Sequence, residues 1–190
     1  AMASALDVVD VAFLAIRTPH RQLGATLRLG ANILYQASAH ETIVRMHLVA
    51  DQPARPLLTA VRLRVPVAFR SRWFAHSTLE APRWVARLHR KLVARGCQGP
   101  VCDIYMLKPL LHLYLPNSMR RVIFLDSDVF LWSDIAGLWR RFATFGPRHL
   151  IALAREENAF GSQEAVTALG GLSSNGGVEL LDLQRMRDPA

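Results

Sequence analysis

Residues 121–128, RVIFLDSD, place two carboxylates directly after the clearest strand pattern in the chain. The apolar run VIFL is typical of a buried strand, and Asp126-Ser127-Asp128 follows it at once. In open α/β sheets, ligands bind outside the carboxyl ends of the strands, so Asp126 and Asp128 lie where a binding site is expected. Asp-Ser-Asp is also a common turn sequence, which leaves a solvated turn as the alternative interpretation.

The segments around this strand alternate between strand and helix patterns. Residues 8–16 (VVDVAFLAI) and 43–50 (IVRMHLVA) are short apolar runs that predict strands, and apolar residues at helical spacing over 22–36 predict a helix between them. This rhythm predicts a single α/β domain over residues 1–190 with a mostly parallel central sheet. The same patterns predict strands over 65–69, 150–154 and 176–183, and helices over 57–63, 82–95, 105–115 and, after Asp134 as N-cap, 135–142.

The chain carries 23 basic and 15 acidic side chains among 190 residues, a net charge of +8. Residues 1–125 carry 17 basic and 6 acidic side chains, whereas residues 126–190 carry 6 and 9. No nucleic-acid recognition motif accompanies the basic half, so the charge predicts an anionic partner and not a nucleic acid. Residues 55–95 hold ten of the bases and a single acid, Glu80, and are interpreted as a solvated loop or as a surface for an anionic acceptor.

No apolar run approaches the roughly 20 residues that a membrane-spanning helix needs. Residues 1–16 lack the basic start of a signal peptide, so a membrane anchor, if present, is expected outside this chain. Cys97 and Cys102 are too few for a disulfide scaffold. They are expected either to close a small loop in an oxidising compartment or to remain free thiols.

Several conspicuous side chains are expected to be structural. His47 lies inside the second predicted strand, and His112 lies on an apolar helix. Trp132, Trp139 and Phe142 recur at nearly helical spacing, which predicts that they pack in the core.

The two aspartates after the strand predict a metal site. Two carboxylates at positions i and i+2 can converge on one hard cation, directly or through water. Mg²⁺ and Mn²⁺ prefer oxygen ligands and commonly bridge one or two carboxylates to substrate phosphates. Asp126 and Asp128 also lie between the apolar runs RVIFL and VFLW, where uncompensated carboxylates would cost desolvation energy. These features predict a divalent metal that holds a diphosphate and stabilises charge on a leaving group.

Three segments resemble glycosyltransferase family 8, in the family's order. Residues 115–139, LPNSMRRVIFLDSDVFLWSDIAGLW, resemble its D-x-D segment, most closely that of the LARGE-type xylosyl/glucuronyltransferases, with glycogenin and the xyloside xylosyltransferases more distant. Residues 174–186, SNGGVELLDLQRM, resemble the N-[ST]-G-V-x-L-x-[DN]-L segment. Residues 104–111, IYMLKPLL, place Lys108 on a lysine that contacts the donor nucleotide in relatives. The runs VAFLAI and HLVADQ match the family's first two strands.

This resemblance implies a Rossmann-like nucleotide-sugar-binding domain, the A-type glycosyltransferase fold. It implies an enzyme that moves a sugar from a UDP-sugar to a glycan or glycoprotein acceptor with retention of configuration, using Mn²⁺ or Mg²⁺. A non-catalytic member that binds a nucleotide-sugar without turnover is the alternative. The resemblance also implies the Golgi lumen as location, with the cytoplasm as the alternative.

The resemblance assigns roles to particular residues. Asp126 and Asp128 would take the metal and, through it, the UDP diphosphate, with Ser127 between them in the donor site. Lys108 would help to neutralise the phosphates. A surface lysine whose stem lies along an apolar helix is the alternative for Lys108.

The remaining assignments concern the sugar and the nucleoside. Asn175 would hydrogen-bond the sugar or the acceptor, and Gly176 replaces the family's usual Ser or Thr beside it. A simple turn is the alternative for this segment. The end of the first strand, Ala15 to Arg17, would approach the uracil and ribose.

Two further family segments would follow in a complete member. One is an acidic-Gln segment facing the transferred sugar, and the other is a His-x-x-Gly-x-x-Lys-Pro-Trp segment whose histidine completes the metal shell. Neither occurs before Ala190. The resemblance therefore implies the N-terminal and central part of the domain, incomplete at its C-terminus, with little transferase activity for the chain alone.

Overall fold

The computed structural model describes residues 8–16, 20–38, 42–51, 63–65, 72–77, 83–96, 106–155 and 174–188, together with the single residues 54, 56 and 59. Within this part of the chain, six strands form one sheet in the order β3-β2-β1-β4-β6-β5. The strands are β1 Val8–Ala15, β2 Ile43–Ala50, β3 Trp73–Ser77, β4 Val122–Leu125, β5 Ile151–Arg155 and β6 Ser174–Leu181.

The predicted mostly parallel sheet is confirmed. The four strands β3, β2, β1 and β4 are parallel neighbours, whereas β6 runs antiparallel to both β4 and β5. The helices are α1 His20–Ser38, α2 Arg83–Val93, α3 Leu111–Tyr114, α4 Ala136–Trp139 and α5 Leu183–Arg187, with 3₁₀ segments at Lys108–Leu110 and Arg140–Thr144.

The central strands are buried on both faces because apolar side chains alternate between two cores. On β1, Val11 and Phe13 belong to the core that contains Ile33 of α1, whereas Ala12 and Leu14 belong to the core that contains Leu111 of α3. A strand covered on both sides is therefore nearly all apolar, which explains the predicted strands at 8–16 and 121–125.

Two predicted helices contain tighter 3₁₀ segments than expected. Over 105–115, the structure has a 3₁₀ turn at Lys108–Leu110 followed by α3, because Pro109 has no N–H to donate within a longer helix. Over 135–142, α4 continues into the 3₁₀ segment Arg140–Thr144. The Asp134 carboxylate accepts a hydrogen bond from the Ala136 N–H at 3.1 Å, in agreement with the predicted capping role.

The placement of Trp132 in the core was wrong, since its side chain is 87% exposed. Residues 129–134 form an irregular link before α4, so helical periodicity does not apply to them. The link is held through Leu131, whose N–H and C=O both bond the Asn32 side-chain amide, at 2.7 and 3.1 Å. Phe142 is buried and Trp139 half-buried, as predicted.

Other predictions fall largely outside the described residues. These are the helix over 57–63, the pairing of Cys97 with Cys102, and most of the strand over 65–69, of which Val65 lies in a bend. The described strand nearest in sequence is β3, which pairs with β2. None of the described helices is long and apolar enough to span a bilayer.

Candidate functional site

The carboxyl edge of the parallel strands contains a topological switch point. The chain proceeds from β1 outward to β2 and β3, and then returns to the other side of β1 with β4. The carboxyl ends of β1 and β4 therefore open into one crevice, where α/β sheets bind ligands. Because β6 is antiparallel to β4, its first residues lie at the same edge. Segments that are distant in sequence thus meet around Asp126.

Lys108 lies at the centre of this site. Its ammonium is 2.9 Å from each carboxylate oxygen of Asp126 and donates a hydrogen bond to the carbonyl oxygen of Gly176 at 2.8 Å. The residue is only 4% exposed, and its ammonium lies 4.9 Å from the centroid of the Phe124 ring. The interpretation of Lys108 as a surface lysine is therefore wrong. The proline-containing 3₁₀ turn directs it into the sheet edge instead of along a helix surface.

The first residues of β6 form the opposite wall. The Asp126 N–H donates to the Gly177 carbonyl at 2.9 Å, and the Gly177 N–H donates to the Asn175 side-chain oxygen at 2.7 Å. A Cβ on Gly177 would lie 2.9 Å from that oxygen and 3.6 Å from Asp126 Oδ2. Glycine at this position keeps the space beside the Asp126 carboxylate open.

Exposure differs among the predicted site residues. The Asp126 side chain is 36% exposed, Asp128 and Asn175 are exposed, and Ser127 is half-buried. Asp126 thus presents a carboxylate to solvent while the cation that binds it stays buried. Ala15 is buried at the end of β1, and its carbonyl accepts a hydrogen bond from the Asp51 N–H. Arg17 lies outside the described residues.

Sequence reasoning missed Glu179. This carboxyl lies on β6 opposite Phe124, is buried, and has an oxygen 3.2 Å from where a Cβ of Gly176 would lie. Burial raises the pKa of Glu179 to about 7, the Lys108 charge opposes that rise, and the Asp126 charge adds to it. A charged residue within the apolar run VELL was the available signal.

A second charged cluster lies at the amino edge of the sheet. Arg45 donates two hydrogen bonds to the Asp10 carboxylate, at 2.7 and 2.6 Å, and His47 Nε2 lies 2.9 Å from Asp10 Oδ1. Burial alone would raise the pKa of Asp10, but the hydrogen bonds from His47 and Arg45 outweigh it and lower the pKa. His47 also stacks on Phe74. These contacts agree with the expectation that His47 is structural.

Curated relatives match most of this chain in sequence. Human LARGE2, a xylosyl- and glucuronyltransferase, is 32% identical over 152 residues, which are 76% of this chain and 20% of that protein. This chain is a homologue of the LARGE-type glycosyltransferases. The predicted resemblance is thereby confirmed, although no protein-family model matches. The chain spans about one fifth of the length of LARGE2.

Solved structures confirm the A-type glycosyltransferase fold. Mouse xyloside xylosyltransferase 1, in its apo form, aligns with a TM-score of 0.62 and 23% identity over 95% of this chain and 68% of that one. The galactosyltransferase LgtC, solved with donor and acceptor sugar analogs, aligns with a TM-score of 0.68 and 17% identity over 94% of this chain and 59% of that one. These likenesses concern the fold.

Proposed function

We propose that this chain is the donor-binding part of a UDP-sugar-dependent glycosyltransferase of the family 8 type, which transfers a sugar to a glycan or glycoprotein hydroxyl with retention of configuration. The observation that carries the proposal is the buried Lys108 ammonium, which bridges Asp126 and the Gly176 carbonyl at the switch point. Through this contact, the three segments that resemble family 8 meet at one edge of the sheet. That edge is where ligands bind in α/β folds.

Asp126 and Asp128 would hold a divalent cation, Mn²⁺ or Mg²⁺. The donor set fits, because both residues offer hard carboxylate oxygens at an open edge and Gly177 leaves room beside Asp126. In the described part of the chain, no three His, Cys, Asp or Glu side chains converge. Asp126 and Asp128 would hold this cation against the donor diphosphate. When bound, it supplies positive charge that stabilises the departing UDP.

Lys108 would provide a second positive charge for the diphosphate. Its ammonium pairs with the Asp126 carboxylate at 2.9 Å. A cation on Asp126 would repel that ammonium, so donor binding is favoured when Lys108 turns from the carboxylate toward a phosphate oxygen. Burial strengthens this contact because the surroundings screen charge poorly. Lys108 thus exchanges one anionic partner for another.

The remaining site residues would orient the sugar and the nucleoside. Asn175 keeps its side-chain oxygen on the Gly177 N–H and would offer its amide N–H to the sugar or acceptor. The Gly176 carbonyl accepts a hydrogen bond from Lys108, and Ser127, the residue after Asp126, would lie in the donor site. Ala15, at the end of β1, and Arg17, two residues further along the sequence, would contact the uracil and ribose by resemblance. By resemblance, we also propose that the protein is located in the Golgi lumen. Immunofluorescence of the full-length protein tests this location.

Calorimetry of UDP binding tests the proposal. We expect UDP to bind the unmodified chain in Mn²⁺ at least about tenfold more tightly than in chelator, and Asp126→Asn to remove that difference. Asp188→Asn is the matched control, because it removes an exposed carboxylate beyond the end of α5 at the other edge of the sheet. Equal UDP binding by both variants, with and without Mn²⁺, would contradict the metal assignment.

The second candidate is a nucleotide-sugar-binding protein without turnover. It is favoured by the contact between Lys108 and Asp126, because an ammonium 2.9 Å from the carboxylate competes with a divalent cation for it. Full-length protein is incubated with UDP-sugars and acceptor glycans, and the product's anomeric configuration is read by nuclear magnetic resonance. Mn²⁺-dependent binding without any transfer or hydrolysis would favour this second candidate, whereas an inverted product would overturn retention.

A further inference from the structure

The helix α2 separates basic and apolar side chains onto adjacent arcs. At 100° per residue, Arg83, Arg87, Arg90 and Lys91 fall within an arc of roughly 100°. An adjoining arc of about the same width holds Trp84, Val85, Leu88 and Leu92. The next acidic residues in the sequence are Glu80 and Asp103, so residues 81–102 carry five positive charges and no negative one.

Only one edge of the apolar arc is buried. Val85 is 3% exposed and Leu92 is half-buried. Trp84 is 49% exposed and Leu88 is 39% exposed. These two side chains lie one turn apart between the buried edge and the basic arc. A helix that needed this arc only for the core would bury both of them.

The exposed surface therefore combines a flat aromatic ring, an aliphatic side chain and a row of bases. Trp84 and Lys91 are roughly 20° apart around the helix axis, and Arg87 is next to them. A solvated face or a soluble polyanion would use the bases alone and leave the indole exposed to water. An anionic lipid surface uses both, because indole and leucine enter the headgroup region while Arg and Lys contact phosphates.

We propose that α2 is a peripheral membrane-binding element that lies flat on an anionic lipid surface. Trp84 and Leu88 enter the headgroup region, and Arg87 and Lys91 contact lipid phosphates beside them. The net positive charge of residues 81–102 supplies the electrostatic attraction. This contact does not depend on the proposed transferase activity, and it differs from a membrane-spanning anchor.

Vesicle sedimentation tests this proposal with the full chain. We expect sedimentation with vesicles of phosphatidylcholine and phosphatidylserine, and little with phosphatidylcholine alone. Reversing charge at two exposed positions, Arg87→Glu and Lys91→Glu together, weakens binding by more than about tenfold, since one base near an anionic surface contributes about a fivefold factor. The matched control reverses two exposed arginines elsewhere, Arg141→Glu and Arg148→Glu, and binds as the unmodified chain does.

A tryptophan exchange separates lipid insertion from simple charge attraction. Trp84→Ser is expected to weaken vesicle binding several-fold, whereas Trp132→Ser, at the more exposed tryptophan, has no effect. If Trp84→Ser retains full binding while charge reversal abolishes it, the partner is a soluble polyanion and the proposal is wrong. Equal binding by the charge-reversal pair and its control also overturns it. Because UDP binding is measured without vesicles, failure here and failure of the proposed function are distinguishable.

Discussion

At the carboxyl edge of the sheet the Lys108 ammonium is buried and its partner Asp126 is 36% exposed, whereas at the amino edge the Asp10 carboxylate is buried and its partner Arg45 is 45% exposed. Each pair joins a carboxylate to a cation at hydrogen-bond distance, with Asp10 on β1 and Asp126 directly after β4. They differ in which charge meets solvent.

This difference separates a binding site from a structural link. Asp10 is enclosed by Arg45 and His47, so its carboxylate is committed to cross-strand bonds between β1 and β2. Asp126 has one buried partner and an open side, where a cation or phosphate can approach. A cavity of about 660 Å³ does lie at the amino edge beside Asp10, but the carboxylate there is already bonded to Arg45 and His47. The exposed Asp126 carboxylate, and not the cavity beside Asp10, marks the candidate donor site.

Replacing the buried cation gives the largest expected effect. Lys108→Met should weaken UDP binding in Mn²⁺ by about 10- to 100-fold, the range for losing a hydrogen bond to a charged group. The same change should strengthen binding of Mn²⁺ alone, because the competing ammonium has left Asp126. Calorimetry measures both affinities, with the exposed Lys91→Met as control. Weaker binding of Mn²⁺ alone would show that Lys108 only supports the fold.

At the amino edge, the corresponding change should affect stability instead of binding. Asp10→Asn removes the charge that Arg45 and His47 contact, and we expect a loss of about 2–3 kcal/mol in the free energy of unfolding, less than for a wholly buried pair. Denaturant titration measures the loss, and UDP affinity should stay unchanged. Reduced UDP affinity at unchanged stability would reverse the roles assigned to the two clusters.

The same variant has an acid-range signature. Because the pKa of Asp10 is lowered from 3.8, its stabilising contribution is fully present above about pH 3.8 and disappears as the pH falls through the lowered pKa. The Asp10→Asn variant lacks this loss. Unfolding curves of the two proteins should therefore converge as the solution is acidified.

Glu179, at the carboxyl edge, should make stability depend on pH in the opposite direction from Asp10. Its pKa is raised from 4.5 to about 7 by burial, so the unfolded chain releases its proton first and stability falls as pH rises between these values. Glu179→Gln should remove that fall and be more stable above pH 7 by about 1–2 kcal/mol, since a buried amide keeps part of the desolvation cost. Denaturant titrations at several pH values measure this, and parallel curves would contradict it.

The smallest expected effect concerns the glycine beside Asp126. Gly177→Ala introduces a Cβ 2.9 Å from the Asn175 side-chain oxygen and should displace that amide, weakening UDP-sugar binding by about tenfold or less. Gly137→Ala is the control, because nothing lies within 4 Å of its Cβ. If the two variants bind a UDP-sugar equally well, Asn175 does not contact the donor.

The sequence determined the elements whose signals are local. A strand covered on both faces must be nearly all apolar, so β1, β2 and β4 could be predicted to within a residue or two. Asp126 and Asp128 could be placed at the carboxyl edge because they directly follow β4 in the sequence. The order of three motifs indicated the glycosyltransferase resemblance without any knowledge of contacts.

Only the tertiary structure decided which distant residues meet and which side chains are buried. Lys108 precedes Asp126 by 18 positions and Gly176 by 68. The three residues meet because β6 pairs antiparallel with β4, which places the start of β6 beside the end of β4. The burial of Glu179 and the exposure of Trp132 depend on neighbouring elements that periodicity does not encode. The pattern of apolar residues indicates which face of a single helix or strand is apolar. Burial and charge pairing depend also on the elements that pack against that face.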